Sequence, residues 1–318
     1  MSAASADPEA PDVLAIGETM LLVAPAAGAP FALGSAMTIS PAGAEANVAV
    51  GCSGLGLRAA WYSRLGADAI GDLLADGLAA RGVDTSLVRR TDAAPTGVMF
   101  KRPLDGRSEV AYYRAGSAAS TMDAADLDVL PAPRLVHVSG ITAALSDSCR
   151  RLLDAVVVER RLGSSIVSFD VNHRPVLWPS PERAATELLH LARAADVVFV
   201  GRDEAERLWG TADADAVREL LPDVPHVVVK DAEHEAVEFA GDTVVRVATP
   251  PVEVVESVGA GDGFAAGWIA ASLRGEDAAG RLSAGHALAA AVLRSPTDHA
   301  APGAGAVESH AGSVDGLE

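Results

Sequence analysis

A chain of 318 residues with 49% hydrophobic but only 4% aromatic side chains can bury one large α/β core, packed by Ala, Val and Leu rather than by rings. A net charge of −18 and a lysine inventory limited to Lys101 and Lys230 exclude a nucleic-acid binder, which must cluster cations against phosphates. The acidic balance otherwise speaks only for solubility.

The opening "MSAASADPEAPD" has neither a positive n-region nor an apolar h-region, so it is no secretory signal. No apolar run reaches the length of a membrane span. Cys52 and Cys149 sit in apolar surroundings without disulfide or metal spacing, as small buried hydrophobes of a reducing compartment do. A cytoplasmic protein is expected, without membrane or nucleic-acid partners. Residues 1–11 and the Gly/Ala-rich 303–318 are expected to be disordered tails around a single domain over 12–302.

Along the chain, "VLAIG" (13–17), "LVHVSG" (135–140), "SIVSFDV" (165–171), "DVVFV" (196–200) and "HVVVK" (226–230) predict strands. Between them, "SCRRLLDAVVVERRLG" and "PERAATELLHLARAA" carry apolar residues at helical spacing. Continuous apolar strands alternating with helices predict a mainly parallel sheet covered on both faces. Two stretches break this rhythm. "MLLVA" with "FALGSAMTI", and "TGVMFKRPLDGRSEVAYYRAGS" (96–117), predict strand–turn–strand units, the second turning at Asp105-Gly106. They predict a small projecting sheet, a candidate lid, from about 19–40 and 96–116.

Near the far end, "ESVGAGDGFAAGW" (256–268) sets Gly259, Ala260 and Gly261 before a predicted helix with Asp262 in its first turn. Helix N-termini expose unpaired N–H groups and attract anions, and glycines let a phosphate approach. Asp262 should stay ionised there, and could accept a proton from a hydroxyl beside the anion. On these residues alone, an ordinary N-cap aspartate after a flexible turn is the stronger reading. A P-loop is excluded because neither lysine follows a glycine, a dinucleotide fingerprint because position 264 is Phe264, and a zinc-protease helix because "HEAVE" (234–238) lacks a second histidine. The histidines, among them His137, His190, His226 and His286, stand in apolar or helical contexts as structural residues. Trp178 is expected to pack at a strand exit near the site.

The segment "PAGAEANVAVGCSGLGLRAAWYSRLGADAIGDLLADGLAARGVDTSLV" (41–88), taken with 256–268, resembles the ribokinase or PfkB family of sugar kinases across roughly 13–300. Gly43, Asn47, Leu55-Gly56 and the Arg-Leu-Gly-Ala-Asp run at 64–68 match the family's amino-terminal motif, and 256–262 match its Asp-Thr-x-Gly-Ala-Gly-Asp signature. The resemblance implies a ribokinase-like, doubly wound α/β fold with a small β-sheet lid, in a homo-oligomer. It implies transfer of the γ-phosphoryl group of ATP, with Mg2+, to a sugar hydroxyl. Asp262 would be the base, the N–H groups of Gly259, Ala260 and Gly261 the anion hole, and Lys230 with Gly259 and Gly261 the nucleotide contacts. Phosphoryl transfer asks mainly for such positioning and charge stabilisation.

"VAYYRAGSAAS", "SFDVNHRPVLW" and "VSGITAALS" resemble 2-keto-3-deoxygluconate kinases within that family. This implies Arg114 and Arg174 on the substrate carboxylate, a task suited to guanidinium, with Tyr112, Gly43, Asn47 and Asp298 as further substrate contacts. Glu204, from the family's Asn-x-x-Glu motif, would position Mg2+ through water, and Glu256 would lie in a monovalent-cation loop taking K+. The chain departs from the pattern at Glu256-Ser257 for Asp-Thr, Gly201 for Asn, Ala42 for a glycine and Met99 for an aromatic residue. Those at 201 and 256, with the lack of glycines after Lys230 in "VVKDAEHEAVEF", fall on the nucleotide side, so they bear on ATP affinity and the phosphate donor. Fructose, ribose, a related deoxy-keto sugar acid and a nucleoside remain alternative acceptors, and a non-catalytic sugar or nucleotide sensor remains the alternative to an enzyme.

Overall fold

A computed structural model describes residues 10–26, 29–104, 107–255 and 258–295. The expected tails fall almost wholly outside these residues, as do the Asp105-Gly106 turn, Glu256, Ser257 and Asp298. In chain order the elements begin with β1 (Val13–Ile16), β2 (Met20–Pro25), β3 (Met37–Ala42), α1 (Ala44–Gly54), β4 (Ala59–Tyr62), β5 (Arg64–Gly66), α2 (Ala69–Ala79) and β6 (Arg89–Thr91). The middle holds β7 (Val98–Leu104), β8 (Arg107–Tyr113), β9 (Leu135–Ser139), α3 (Gly140–Leu145), α4 (Asp147–Leu153), β10 (Ile166–Asp170) and α5 (Pro181–Ala194). Last come β11 (Val197–Gly201), α6 (Arg202–Trp209), α7 (Ala214–Leu220), β12 (His226–Asp231), β13 (Glu235–Ala240), β14 (Thr243–Ala248), α8 (Ala260–Leu273) and α9 (Ala278–Leu293).

The main sheet has eight strands in the order β14-β13-β12-β11-β10-β9-β1-β4. Six pair in parallel from β4 to β12, and β13 and β14 extend one edge antiparallel. The expected doubly wound α/β arrangement is present. Side chains alternate across the pleat, so each central strand feeds two cores. Leu14, Ile16, Val198 and Val200 face α3 to α7, while Val13, Ala15, Val197 and Phe199 face α1, α2, α8 and α9. Strands covered on both faces are mostly apolar: β1 and β9 are buried at every position, and the polar residues of β9, His137 and Ser139, bond to Ser168 and Glu45.

The two predicted hairpins make one separate sheet, β3-β2-β7-β8, joined by the parallel pairing of Leu21 to Val98 and Val23 to Phe100. One boundary differs from expectation. "FALG" is not strand: the Ala32 N–H bonds to the Pro30 carbonyl, the Ser35 N–H to that of Ala32, and Gly34 has φ +83°, so the chain turns before β3 begins at Met37.

Cys52 and Cys149 are free and buried, and burial pushes their thiols up to about 12 and about 11. His137 is buried on β9, its Nδ1 3.0 Å from Ser168 Oγ, and burial pushes its pKa down to about 4. His226 pairs with Glu238 at 3.0 Å, His190 with Asp154 at 3.4 Å, and His286 Nε2 lies 3.2 Å from the Val247 carbonyl. Among the described residues no helix is long and apolar enough to cross a membrane.

Candidate active site

The carboxyl ends of β10, β11 and β12 open on a cavity of about 400 Å3 between the main sheet and the small one. That is where open α/β sheets place ligands, and the size suits a small molecule. Gly43, Asn47, Tyr112, Arg114, Arg174, Glu204, Lys230, Gly259, Gly261 and Asp262 all line it. These ten residues span more than two hundred positions of sequence. Ala260 is the first residue of α8.

Gly259 caps α8 in a left-handed conformation, φ +83°, which glycine adopts without a Cβ penalty. The first intrahelical bond runs from the Gly263 N–H to the Gly259 carbonyl at 2.8 Å. The N–H groups of 260–262 therefore precede the helical ladder and carry the positive end of its dipole. Asp262 stands in this first turn, where its Oδ2 accepts the Asn47 side-chain amide at 2.8 Å and its Oδ1 lies 3.5 Å from Asn172 Nδ2. Burial, reinforced by the charge of Asp170, pushes its pKa up to about 7. The expectation that Asp262 stays ionised is therefore weakened: desolvation outweighs the Asn47 hydrogen bond and the charges of Arg174 and Lys230.

Asn47 reaches this carboxylate because α1 is anchored twice. The buried Glu45 carboxyl accepts hydroxyls from Ser139 at 2.7 Å and Thr142 at 2.6 Å. Gly43, at the start of the helix, packs so tightly that a Cβ there would lie 2.3 Å from the Glu18 carbonyl oxygen. Only glycine fits that approach.

The side facing the small sheet carries Tyr112 and two arginines. Arg114 is buried, its Nε donating to Glu18 Oε2 at 2.7 Å, and Ser117 Oγ donates to the other Glu18 oxygen. Its charge is thus already met by a carboxylate. Arg174 is exposed, follows the β10 exit and bonds only to the neighbouring His173 carbonyl at 3.2 Å among its described contacts. Trp178, partly buried, packs against the core beside this exit.

On the opposite side, Glu204 on α6 accepts the N–H groups of His173 and of Gly201, the latter at 3.1 Å, and burial raises its pKa. Lys230 Nζ donates to Asp170 Oδ2 at 2.8 Å and stays charged, because its carboxylate neighbours overcome the burial that opposes it. Asp170, Asn172, Glu18 and Glu45 were not singled out in the sequence. The asparagine offered one signal, since Asn172 lies inside the quoted "FDVN" run, but its left-handed φ of +42° is a property of the folded turn.

Among the described residues no group of three or more His, Cys, Asp or Glu could hold a metal by itself. Oxygen donors such as Glu204 instead suit Mg2+, which binds through one or two carboxylates together with substrate phosphates.

The sequence matches the model of the pfkB family carbohydrate kinases over residues 10–302. The chain belongs to the PfkB family of carbohydrate kinases. A 2-dehydro-3-deoxygluconokinase of Bacillus subtilis (strain 168) is 35% identical over 264 residues, 81% of this chain and 82% of the relative. The probable fructokinase-7 of Arabidopsis thaliana is 31% identical over 264 residues, covering 80% and 77%. The crystal structure of a PfkB protein from Polaromonas sp. JS666 superposes with a TM-score of 0.83 at 35% identity, covering 91% of this chain and 97% of that one. A putative ribokinase II from E. coli, solved in complex with ATP and Mg2+, gives 0.81 at 25% identity, covering 92% and 96%. This PfkB chain is a carbohydrate kinase of an ATP-using family, with the fold that the sequence led one to expect.

Proposed function

We propose that this PfkB kinase transfers the γ-phosphoryl group of ATP to the 6-hydroxyl of 2-keto-3-deoxygluconate. The observation that carries the reading is Asp262, held by Asn47 at 2.8 Å in the first turn of α8 beside the 259–261 N–H groups. The sugar acid enters between Gly43, Asn47, Tyr112 and the two arginines, where Arg174 meets its carboxylate and Arg114, already braced by Glu18, stands second. The resemblance also implies a polar contact from Asp298, which lies outside the described residues. Asp262 accepts the proton of the hydroxyl as its oxygen attacks the γ-phosphorus and the bond from that phosphorus to the bridging oxygen of ADP breaks. The N–H groups of Gly259, Ala260 and Gly261 and the Lys230 ammonium meet the charge on the moving phosphoryl group. Mg2+ bound with ATP would neutralise the phosphates, and Glu204 would hold it through water; Glu256 would serve a K+ loop.

A neutral sugar such as fructose is the second reading. The Glu18–Arg114 pair favours it, because that pair already satisfies one of the two arginines assigned to an acid group. The protein is read as a homo-oligomer with one domain per chain. Product analysis by 31P NMR, after incubation with ATP, Mg2+ and the sugar acid, should give a phosphomonoester at C6 that is absent with Asp262→Asn. Failure to form a phosphoester from any sugar or sugar acid would overturn the enzyme reading in favour of a sensor.

A further inference from the structure

One buried carboxylate of the cavity has no part in that mechanism. Asp170 ends β10 and is 3% exposed. Its Oδ1 accepts the Asn172 backbone N–H at 3.2 Å, closing a turn in which Asn172 takes φ +42°. Asparagine tolerates this left-handed conformation better than most residues, and a carboxylate that bonds the backbone two positions on stabilises such turns. The turn directs Asn172 Nδ2 toward Asp262 Oδ1, 3.5 Å away. The other oxygen of Asp170 accepts from Lys230 Nζ at 2.8 Å. That ammonium lies 3.5 Å from the point where a Cβ on Gly261 would stand, so it rests against the turn that opens α8. A buried ion pair is a weak device for stability alone, since desolvation offsets most of its attraction. Apolar side chains could join β10 to β12 at least as well.

We propose that Asp170 is a positioning residue for phosphoryl transfer: one oxygen fixes the turn that aims Asn172 at the base, and the other holds the Lys230 ammonium against the 259–261 turn. The inference rests on the assignment of Asp262 as base. Asp170 acts through these two neighbours, the Asn172 N–H and the Lys230 ammonium, each of which it holds by a hydrogen bond. The groups facing Asp262 are Asp170 from β10, Arg174 from the loop after it, Lys230 from β12, and the neutral amides of Asn47 and Asn172. Asp170 raises the Asp262 pKa, whereas Arg174 and Lys230 lower it. The two members of the Asp170–Lys230 pair therefore pull the base in opposite directions.

Asp170→Asn keeps an acceptor for the Asn172 N–H and removes the charge that holds Lys230. Lys230→Met removes the cation. In the full-length protein, the acid limb of kcat/KM against pH should move down by about 0.5–1 unit in Asp170→Asn and up by a similar amount in Lys230→Met. In both variants kcat should fall by at least about tenfold while KM for the sugar changes less than about threefold. A purely structural role would lower activity through loss of folded protein and leave the limb in place. The same opposite shifts should appear without turnover in 13C NMR of the aspartate carboxyls, with Asp262→Asn identifying the Asp262 resonance. Shifts of one sign in both variants, or none, overturn the proposal. Opposite shifts in the carboxyl spectrum support it even where no acceptor tried is phosphorylated, which separates it from the choice of acceptor.

Discussion

Asp262 sits where two local fields oppose each other. The start of α8 favours its charged form, burial disfavours it, and burial prevails, leaving the pKa at about 7. A base must be deprotonated to act, and its deprotonated fraction rises with pH through the pKa. Turnover of the free enzyme, read as kcat/KM, should therefore fall about tenfold per unit below pH ~7 and level off above it. A profile flat from pH 5 to 8 would remove Asp262 from the proton transfer. Asp262→Asn should lower kcat by roughly 10²–10⁴-fold with sugar binding retained, and a loss under about tenfold in stopped assays would do the same damage. The residues legible in the sequence were those inside contiguous motifs, such as Asn47 and 259–262. Glu18 was not, and Asp170, though inside the quoted "SFDVNHRPVLW" run, showed no role there, because their partners Arg114 and Lys230 lie 96 and 60 positions away and only the fold brings them together.

The strands that sequence revealed, such as β1 and β11, are near-continuous apolar runs, as a doubly covered sheet favours. Those it missed carry weaker signals. β4 is "AAWY", half alanine, and β13 and β14, at the antiparallel edge, mix charged residues among apolar ones. Helix packing was equally hidden. A Cβ on Gly267 of α8 would stand 2.3 Å from the Ala284 carbonyl oxygen of α9, so α8 and α9 cross at a contact only glycine allows. Gly267→Ala must push the helices apart and should cost about 1–3 kcal/mol of stability in denaturant unfolding. An unchanged midpoint would mean that the crossing has slack. The small sheet yields a further expectation. If β7 and β8 close over bound sugar acid, their amides should gain hydrogen-exchange protection at saturating ligand. Unchanged exchange over 98–104 and 107–113 would make the hairpin a fixed wall.

Under the proposed function, two sides of one cavity have separate tasks. In the proposed reaction the 259–262 turn and Lys230 meet the phosphoryl group on one side. In the same proposal the choice of hydroxyl falls to Tyr112, Arg114 and Arg174 on the side of the small sheet, where Arg114 is already paired with Glu18 and Arg174 is exposed. Lysine cannot copy the two-pronged contact of a guanidinium with a carboxylate, and a charged hydrogen bond is worth about 1.5–3 kcal/mol. The deciding measurement is kcat/KM, from ADP release with ATP and Mg2+, for 2-keto-3-deoxygluconate and for fructose, in the wild type and in Arg174→Lys. The wild type should prefer the sugar acid. Arg174→Lys should lose roughly ten- to a hundredfold on it, at ~1.4 kcal/mol per tenfold, and hardly change on fructose. A wild-type preference for fructose, or equal losses on both substrates, would contradict the sugar-acid assignment.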